Sequence, residues 1–299
     1  MLFSLFQLAV YAQINLTDSS IQVIGYWDMH EKQTYEIITE KYKVNENDTT
    51  SREVCAYQVE ISIKDSTAKS YTIDWYYKNF RIKSESEIGK KLASLAQDMH
   101  VIIKTDEMGA FVEVVNWKEI RDFMNHSISV VMKEYKDIPD IDKLTKKMQA
   151  MFSSREEIEG KAINEIQQFY TFHGGKYTLH EDINASMKVP NLYGGEPFDA
   201  IVSIEMDSIN EEDDQATIRM WQTVDQKQLT DAAFDILKTI AENAKQEAPV
   251  RATFPSIENE TRWASLIDGD TGWVVYSVQT KEVKSGNVKN FEETTIDIQ

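Results

Sequence analysis

"YTIDWYY", Tyr71 to Tyr77, alternates in a way that only an extended chain can use: Tyr71, Ile73, Trp75 and Tyr77 fall on one side, and Thr72, Asp74 and Tyr76, with Lys78 next, fall on the other. A period of two sets large apolar groups against a core and polar groups toward water, so the stretch predicts a half-buried β-strand. Toward the N-terminus, Ile21 to Ile82 is rich in Val, Ile, Thr, Tyr and Trp and is broken by the polar turns "NENDTTS" and "KDSTAKS", which reads as an antiparallel meander. Toward the C-terminus the period changes. Ser84 with Glu87 forms a capping box, and Ile88, Leu92, Leu95 and Met99 follow at helical spacing, predicting a helix of about four turns from near Glu85.

A second strand pair comes next, "HVIIK" and "FVEVV", flanking "TDEMGAF" at Thr105 to Phe111. A similar string, "DGDTGWV" at Asp268 to Val274, lies between "RWASLI" and "WVVYSVQT". Acidic residues followed by glycine between two strands read as turns closed by a glycine in the left-handed region. The parallel extends backward. Asp225 caps a helix with Gln228 three residues on, Leu229, Ala233, Ile236 and Ile240 repeat the apolar offsets of the first helix, and "AIVSIEMDSINEEDDQATIRMWQTV" gives two strands around an acidic turn. "YTFHGGKYTLHEDI" likewise resembles "IGYWDMHEKQTYEI". These matches predict a degenerate internal repeat of about 140 residues, strands then helix then hairpin. The second copy carries an insertion, "AKQEAPVRATFPSIENET", whose prolines mark a loop.

Between the copies, residues 117–169 read as a helical module with start signals at Asn116/Glu119 and Ser154/Glu157 and a break at "DIPDID". The expected architecture is therefore α+β: a large curved antiparallel sheet, or two, built from the copies at 21–116 and 170–299, with helices packed on one face of what is one compact unit.

Composition narrows the function. The chain has 299 residues, 41% hydrophobic, enough for a sizeable core, and a formal net charge of −18 that repels nucleic acid and anionic bilayers. Residues 1–12, "MLFSLFQLAVYA", are an apolar run ending in Val10-Tyr11-Ala12, which predicts a signal peptide cut before Gln13 and a periplasmic or secreted product. No segment approaches the roughly twenty apolar residues of a membrane span. The single cysteine, Cys55, sits in a strand-like run and reads as a small buried hydrophobe; it can form no internal disulfide.

Chemistry-bearing patterns are sparse. The five histidines, His30, His100, His126, His173 and His180, share no helical spacing for zinc, although His173 and His180 could face each other across a hairpin with Glu181 nearby. "DGDTG" copies part of a calcium loop without its distant glutamate. No nucleophile elbow, phosphate loop or dinucleotide fingerprint is present, so no cofactor and no metal are expected. A carbohydrate-active enzyme needs only two carboxylates, and 50 acidic residues leave that reading open as a second alternative.

The leader ending in "YAQ" and the motifs "GYWDMHEKQTYEI", "TDEMGAFVEVVNWKEI" and "KVPNLYGGEPFDA" resemble a family of uncharacterised secreted proteins of bacterial envelopes. The order of strands, helix and hairpin is also loosely similar to LolA-like lipoprotein carriers. That resemblance implies a curved antiparallel sheet holding helices against its concave face, with an apolar ligand between. An exported, non-enzymatic binding protein is thus one expectation, its partner an apolar or lipid-like small molecule. Flexible Met99, Met124, Met148 and Met151 and the sheet aromatics Trp75, Tyr77 and Trp221 are the candidate wall. The alternative is a structural or interaction module whose partner is an envelope protein and in which the same residues fill a core.

Overall fold

In the computed structural model, residues 13–83, 90, 95–133, 141–191, 195–243 and 246–299 are described. The expected leader lies outside them. So does most of the helix expected after Ser84, of which Lys90, Leu95 and Ala96 are described and helical.

The chain forms strands β1 (Ile14–Asn15), β2 (Ser20–Gln22), β3 (Lys32–Asn45), β4 (Asp48–Thr67), β5 (Ser70–Lys83), β6 (His100–Asp106) and β7 (Phe111–Val114). Four helices follow: α1 (Trp117–Lys133), α2 (Ile141–Ala150), α3 (Arg155–Lys161) and α4 (Asn164–Tyr170). Then come β8 (Lys176–Thr178), β9 (Asp182–Val189), β10 (Phe198–Asn210), β11 (Gln215–Val224), helix α5 (Gln226–Asn243), β12 (Ile257–Asp268), β13 (Val274–Ser285) and β14 (Val288–Ile298). This is the α+β class, with one eleven-stranded antiparallel sheet in the order β7-β6-β5-β4-β3-β14-β13-β12-β11-β10-β9 and a small sheet β1-β2-β8.

The order has a simple logic. The first half runs outward from β3 to β7, the second runs inward from β9 to β13, and β14 closes the seam by pairing with β3 along eleven residues, Val288↔Asn45 through Ile298↔Tyr35. The run β3-β4-β5, helical residues, β6-β7 corresponds in order to β9-β10-β11, α5, β12-β13. Because every neighbouring pair is antiparallel and β14 intervenes, corresponding strands run in the same direction. The proline-bearing insertion is shorter than its sequence suggests, since Ile257 already begins β12.

The sheet is strongly curled at one end. Gly25 N donates to Met108 O in the β6–β7 turn (3.0 Å), and the next residue, Tyr26, donates to Thr271 O in the β12–β13 turn (3.0 Å). In a flat sheet those turns would lie about 29 Å apart at six strand spacings; here one dipeptide bridges both.

Alternation decides the inner face. Ile73, Trp75 and Tyr77 pair across to Ile63, Ile61 and Val59, and all six are buried. Together with Tyr35, Ile37, Val101, Ile103 and Ile296 they form the main core, into which α4 inserts Phe169. Its ring meets Tyr35 (5.3 Å, 88°) and Trp75 (5.3 Å, 90°) edge to face, a favoured aromatic geometry. A second core, with Ile21, Phe172, Tyr177, Met206 and Ile218, is roofed by the small sheet. Ser154 caps α3 by accepting from Glu157 N (3.2 Å), as its spacing predicts. Asn116 does something different: its amide oxygen accepts from Ile102 N (2.8 Å) and its NH2 donates to His100 O (3.0 Å), which ties the start of α1 to β6.

Candidate functional site

The two acidic turns read separately from sequence come together at the curled end. Asp106 Oδ1 accepts from Met108 N and Ala110 N (2.9 Å each), and Asp268 Oδ1 accepts from Thr271 N (2.8 Å), so both carboxylates stabilise their own turns. Gly109 and Gly272 adopt φ of +86° and +72°, the left-handed conformation their sequence position demands. His173 locks the junction: its Nε2–H donates to Gly272 O (2.8 Å), and its ring lies against Trp27 and Phe169. Burial pushes the imidazole down to about 4, with the Gly272 hydrogen bond opposing only in part, so it stays neutral at physiological pH. His180 lies elsewhere, exposed beside Glu205 at 3.6 Å, so the two histidines do not face each other. Among the described residues no group of three or more His, Cys, Asp or Glu is placed to hold a metal ion.

Moving inward from that end, the concave face is filled by aromatic rings. Trp75 and Tyr77 are both buried on that face and belong to the main core. Met99 and Met124 pack half-buried against the same core; Met148 and Met151 are half-buried on and just after α2. Trp221 is separated from the rest. It pairs with Ser203 and Arg262, one residue out of phase with buried Ile218 and Val224, which sets it on the opposite, convex face. The alternation of "TIRMWQTV" already favours this outcome, since Ile218, Met220 and Val224 share one face while Trp221 shares the other with Thr217, Arg219 and Thr223; expecting Trp221 in the wall weighed its ring above the pattern.

Several polar atoms are enclosed in the aromatic interior. Trp27 Nε1, Tyr35 OH, Trp75 Nε1 and Tyr170 OH have no hydrogen-bond partner of proper geometry. Burial raises the Tyr170 hydroxyl, and the nearby Trp75 indole offsets only part of that rise. Glu165, on α4, accepts a hydrogen bond from Tyr77 OH (2.6 Å) at the edge of the Tyr57–Tyr77–Phe80 stack. The residue as a whole is half-buried, but its carboxyl is enclosed, and that burial raises its pKa more than the Tyr77 hydrogen bond lowers it.

A surface groove lies at the other end, where α5 leaves β11. Asp225 caps α5 by accepting from Gln228 N (2.7 Å), while the Gln228 side chain donates instead to Asp199 (2.6 Å) and so ties the helix to β10. Leu229 and Ala233 are buried, but Leu237 and Ile240 are 47% and 55% exposed, so the apolar stripe runs past the end of its support. A groove of about 800 Å³ separates α5 from the β9–β10 connection. Phe198, Ala232 and Ile236 contribute its apolar surface. Lys188, Glu196, Asp231 and Asp235 supply the charged part, with Lys188 held by Asp199 at 2.6 Å and Asp231 paired with Lys227 and Arg251. None of the seven residues expected to form a ligand wall lines this groove. Its charged residues carry no periodic signal; only the capping pair and the apolar offsets of α5 could have directed attention to it.

No protein-family model matches the chain, and no curated protein sequence matches it. Among the described residues no helix is long and apolar enough to cross a membrane.

Proposed function

We propose that the chain is an exported, non-enzymatic protein that holds an apolar or lipid-like molecule between its sheet and its helices, seated at the α5 end rather than in the aromatic interior. The observation that carries this reading is the groove of about 800 Å³ walled by Phe198, Ala232 and Ile236, next to the uncovered Leu237 and Ile240. Its size suits a small amphiphile, whose apolar part would meet Phe198, Ala232 and Ile236 and whose polar head would meet the charged rim of Lys188, Glu196, Asp231 and Asp235. In this reading the corresponding order of the two halves of the sheet reflects a duplicated ancestor, and residues 1–12 are a leader. Gln13 is compatible with cleavage before it, since its side chain bonds forward: Nε2 donates to Ile24 O (2.6 Å) and Oε1 accepts from Ile24 N (2.8 Å).

The test is extraction of lipids from protein purified from its own host, together with titration by the neutral apolar dye N-phenyl-1-naphthylamine. Saturable fluorescence is expected, and Ala232→Trp, which fills the groove, should weaken binding at least about tenfold while Met124→Ala changes it little. No extracted lipid and no saturable dye binding would leave the second reading, an envelope interaction module. The large cluster of buried aromatic and aliphatic side chains favours that alternative.

A further inference from the structure

The geometry points to the free edge of β9 as a contact between two copies of this chain, paired antiparallel about a two-fold axis at Ala185. β9 ends the large sheet and is bonded on one side only, to β10; no other described strand pairs with it. Seven of its eight residues are exposed. Edges of this kind are normally blunted by a central lysine, a proline or a bulge. Ile183 to Met187 contains no charge and no proline, and the register with β10 runs without a break. The opposite edge is protected: Val114 N of β7 donates to Glu159 of α3 (2.7 Å), and Arg155 of α3 pairs with Glu113.

The sequence of β9, "DINASMKV", is complementary to itself when reversed. About Ala185, Asp182 faces the second copy's Lys188, Ile183 faces its Met187, and Asn184 faces its Ser186. Opposite charge, apolar and polar pairs all fall in register, each the favourable kind for directly opposed residues. Within one chain Asp182 lies across from Glu205, a like charge, whereas Lys188 lies across from Asp199. Pairing therefore brings a cation to the carboxylate that faces another carboxylate, and forms the row Glu205, Asp182, Lys188, Asp199 across the seam. Ile183 and Met187, 42% and 43% exposed, stand on the core-facing side opposite Ile204 and Ala200, so the same pairing covers both. Pro190, which has no N–H to donate, ends the edge beside Gly160 of α3 and limits sliding. A two-fold perpendicular to the sheet keeps both concave faces on one side, and the contact is isologous, so it closes as a dimer.

Sedimentation equilibrium of the full chain at about 0.15 M salt, where the overall negative field is screened beyond roughly 8 Å, tests this. A reversible dimer is expected. Asp182→Lys or Lys188→Asp alone should weaken it at least about tenfold, and the two together should restore it. A monomer up to the solubility limit overturns the proposal, as does a dimer indifferent to the single reversals or one the double variant fails to restore. Lys188→Asp also loses its Asp199 partner, so a second measurement avoids that change. Ala185→Cys in a Cys55→Ser background should link two copies through a short bis-maleimide, and a product that stays monomeric overturns the proposal independently.

Discussion

Gly272 shows how much one missing side chain matters. A Cβ there would sit 2.1 Å from Ile24 O, a backbone atom that cannot swing aside, and φ is +72°. Gly272→Ala should therefore destabilise the protein by several kcal/mol, at least about 2, through strain and the broken bridge to residues 24–26. Gly160 is the contrast: it is helical, a Cβ there would meet only Pro190 Cγ at 4.0 Å, an ordinary contact, and Gly160→Ala should stabilise by about 0.5–1 kcal/mol. Denaturant midpoints of the two variants check both signs. Glu165 is a second residue whose cost is readable. Its folded pKa is raised above the ordinary 4.5, so below that value both folded and unfolded states are protonated and there is no penalty. As pH climbs through the raised value, the unfolded chain ionises more readily and the native state loses stability. Glu165→Gln, which keeps an acceptor for Tyr77, should thus raise the melting temperature at pH 7 and leave it little changed at pH 4. A variant less stable than the parent at pH 7 would contradict the enclosed carboxyl.

At the scale of elements, legibility followed the contrast between faces. β5 was plain in the sequence because its inner residues are Ile73, Trp75 and Tyr77 and its flank is polar. β14 was not, although it lies at the centre of the sheet, because its inner face turns polar toward the open end: Ile296 is buried, but Thr294 and Glu292 follow, the latter paired with Lys41 at 3.0 Å. Binary pattern reports burial, and a central strand whose inner face is half-solvated sends little of it. The capped starts of α3 and α5 were legible from Ser154 and Asp225, since a cap is a local device. The meeting of the two glycine turns was not, because each turn satisfies its own hydrogen bonds and nothing in either string refers to the other. For the groove, sequence supplied α5 and its stripe but not where the stripe loses its cover. That depends on how far β10 and β12 extend beneath it.

For the molecule as a whole, the pairing of β3 with β14 joins residues 35–45 to the last eleven strand residues of the chain. Contacts so distant in sequence carry a large loop-closure cost, and folding dominated by them is slow. Removing residues 288–299 should not fray a margin, as loss of β7 or β9 would; it should split the sheet down its middle and bare two long edges on β3 and β13. Such a truncation should aggregate on refolding rather than give a weakened monomer, and light scattering during dilution from denaturant distinguishes the two. The seam also sets an order of events. Whatever forms early along the chain, the two halves of the large sheet share no strand-to-strand hydrogen bonds until β14 is available. A sheet closed only by β14 leaves the edges of β3 and β13 unpaired, and so open to a chaperone or to a wrong partner, until residues 288–298 have been made.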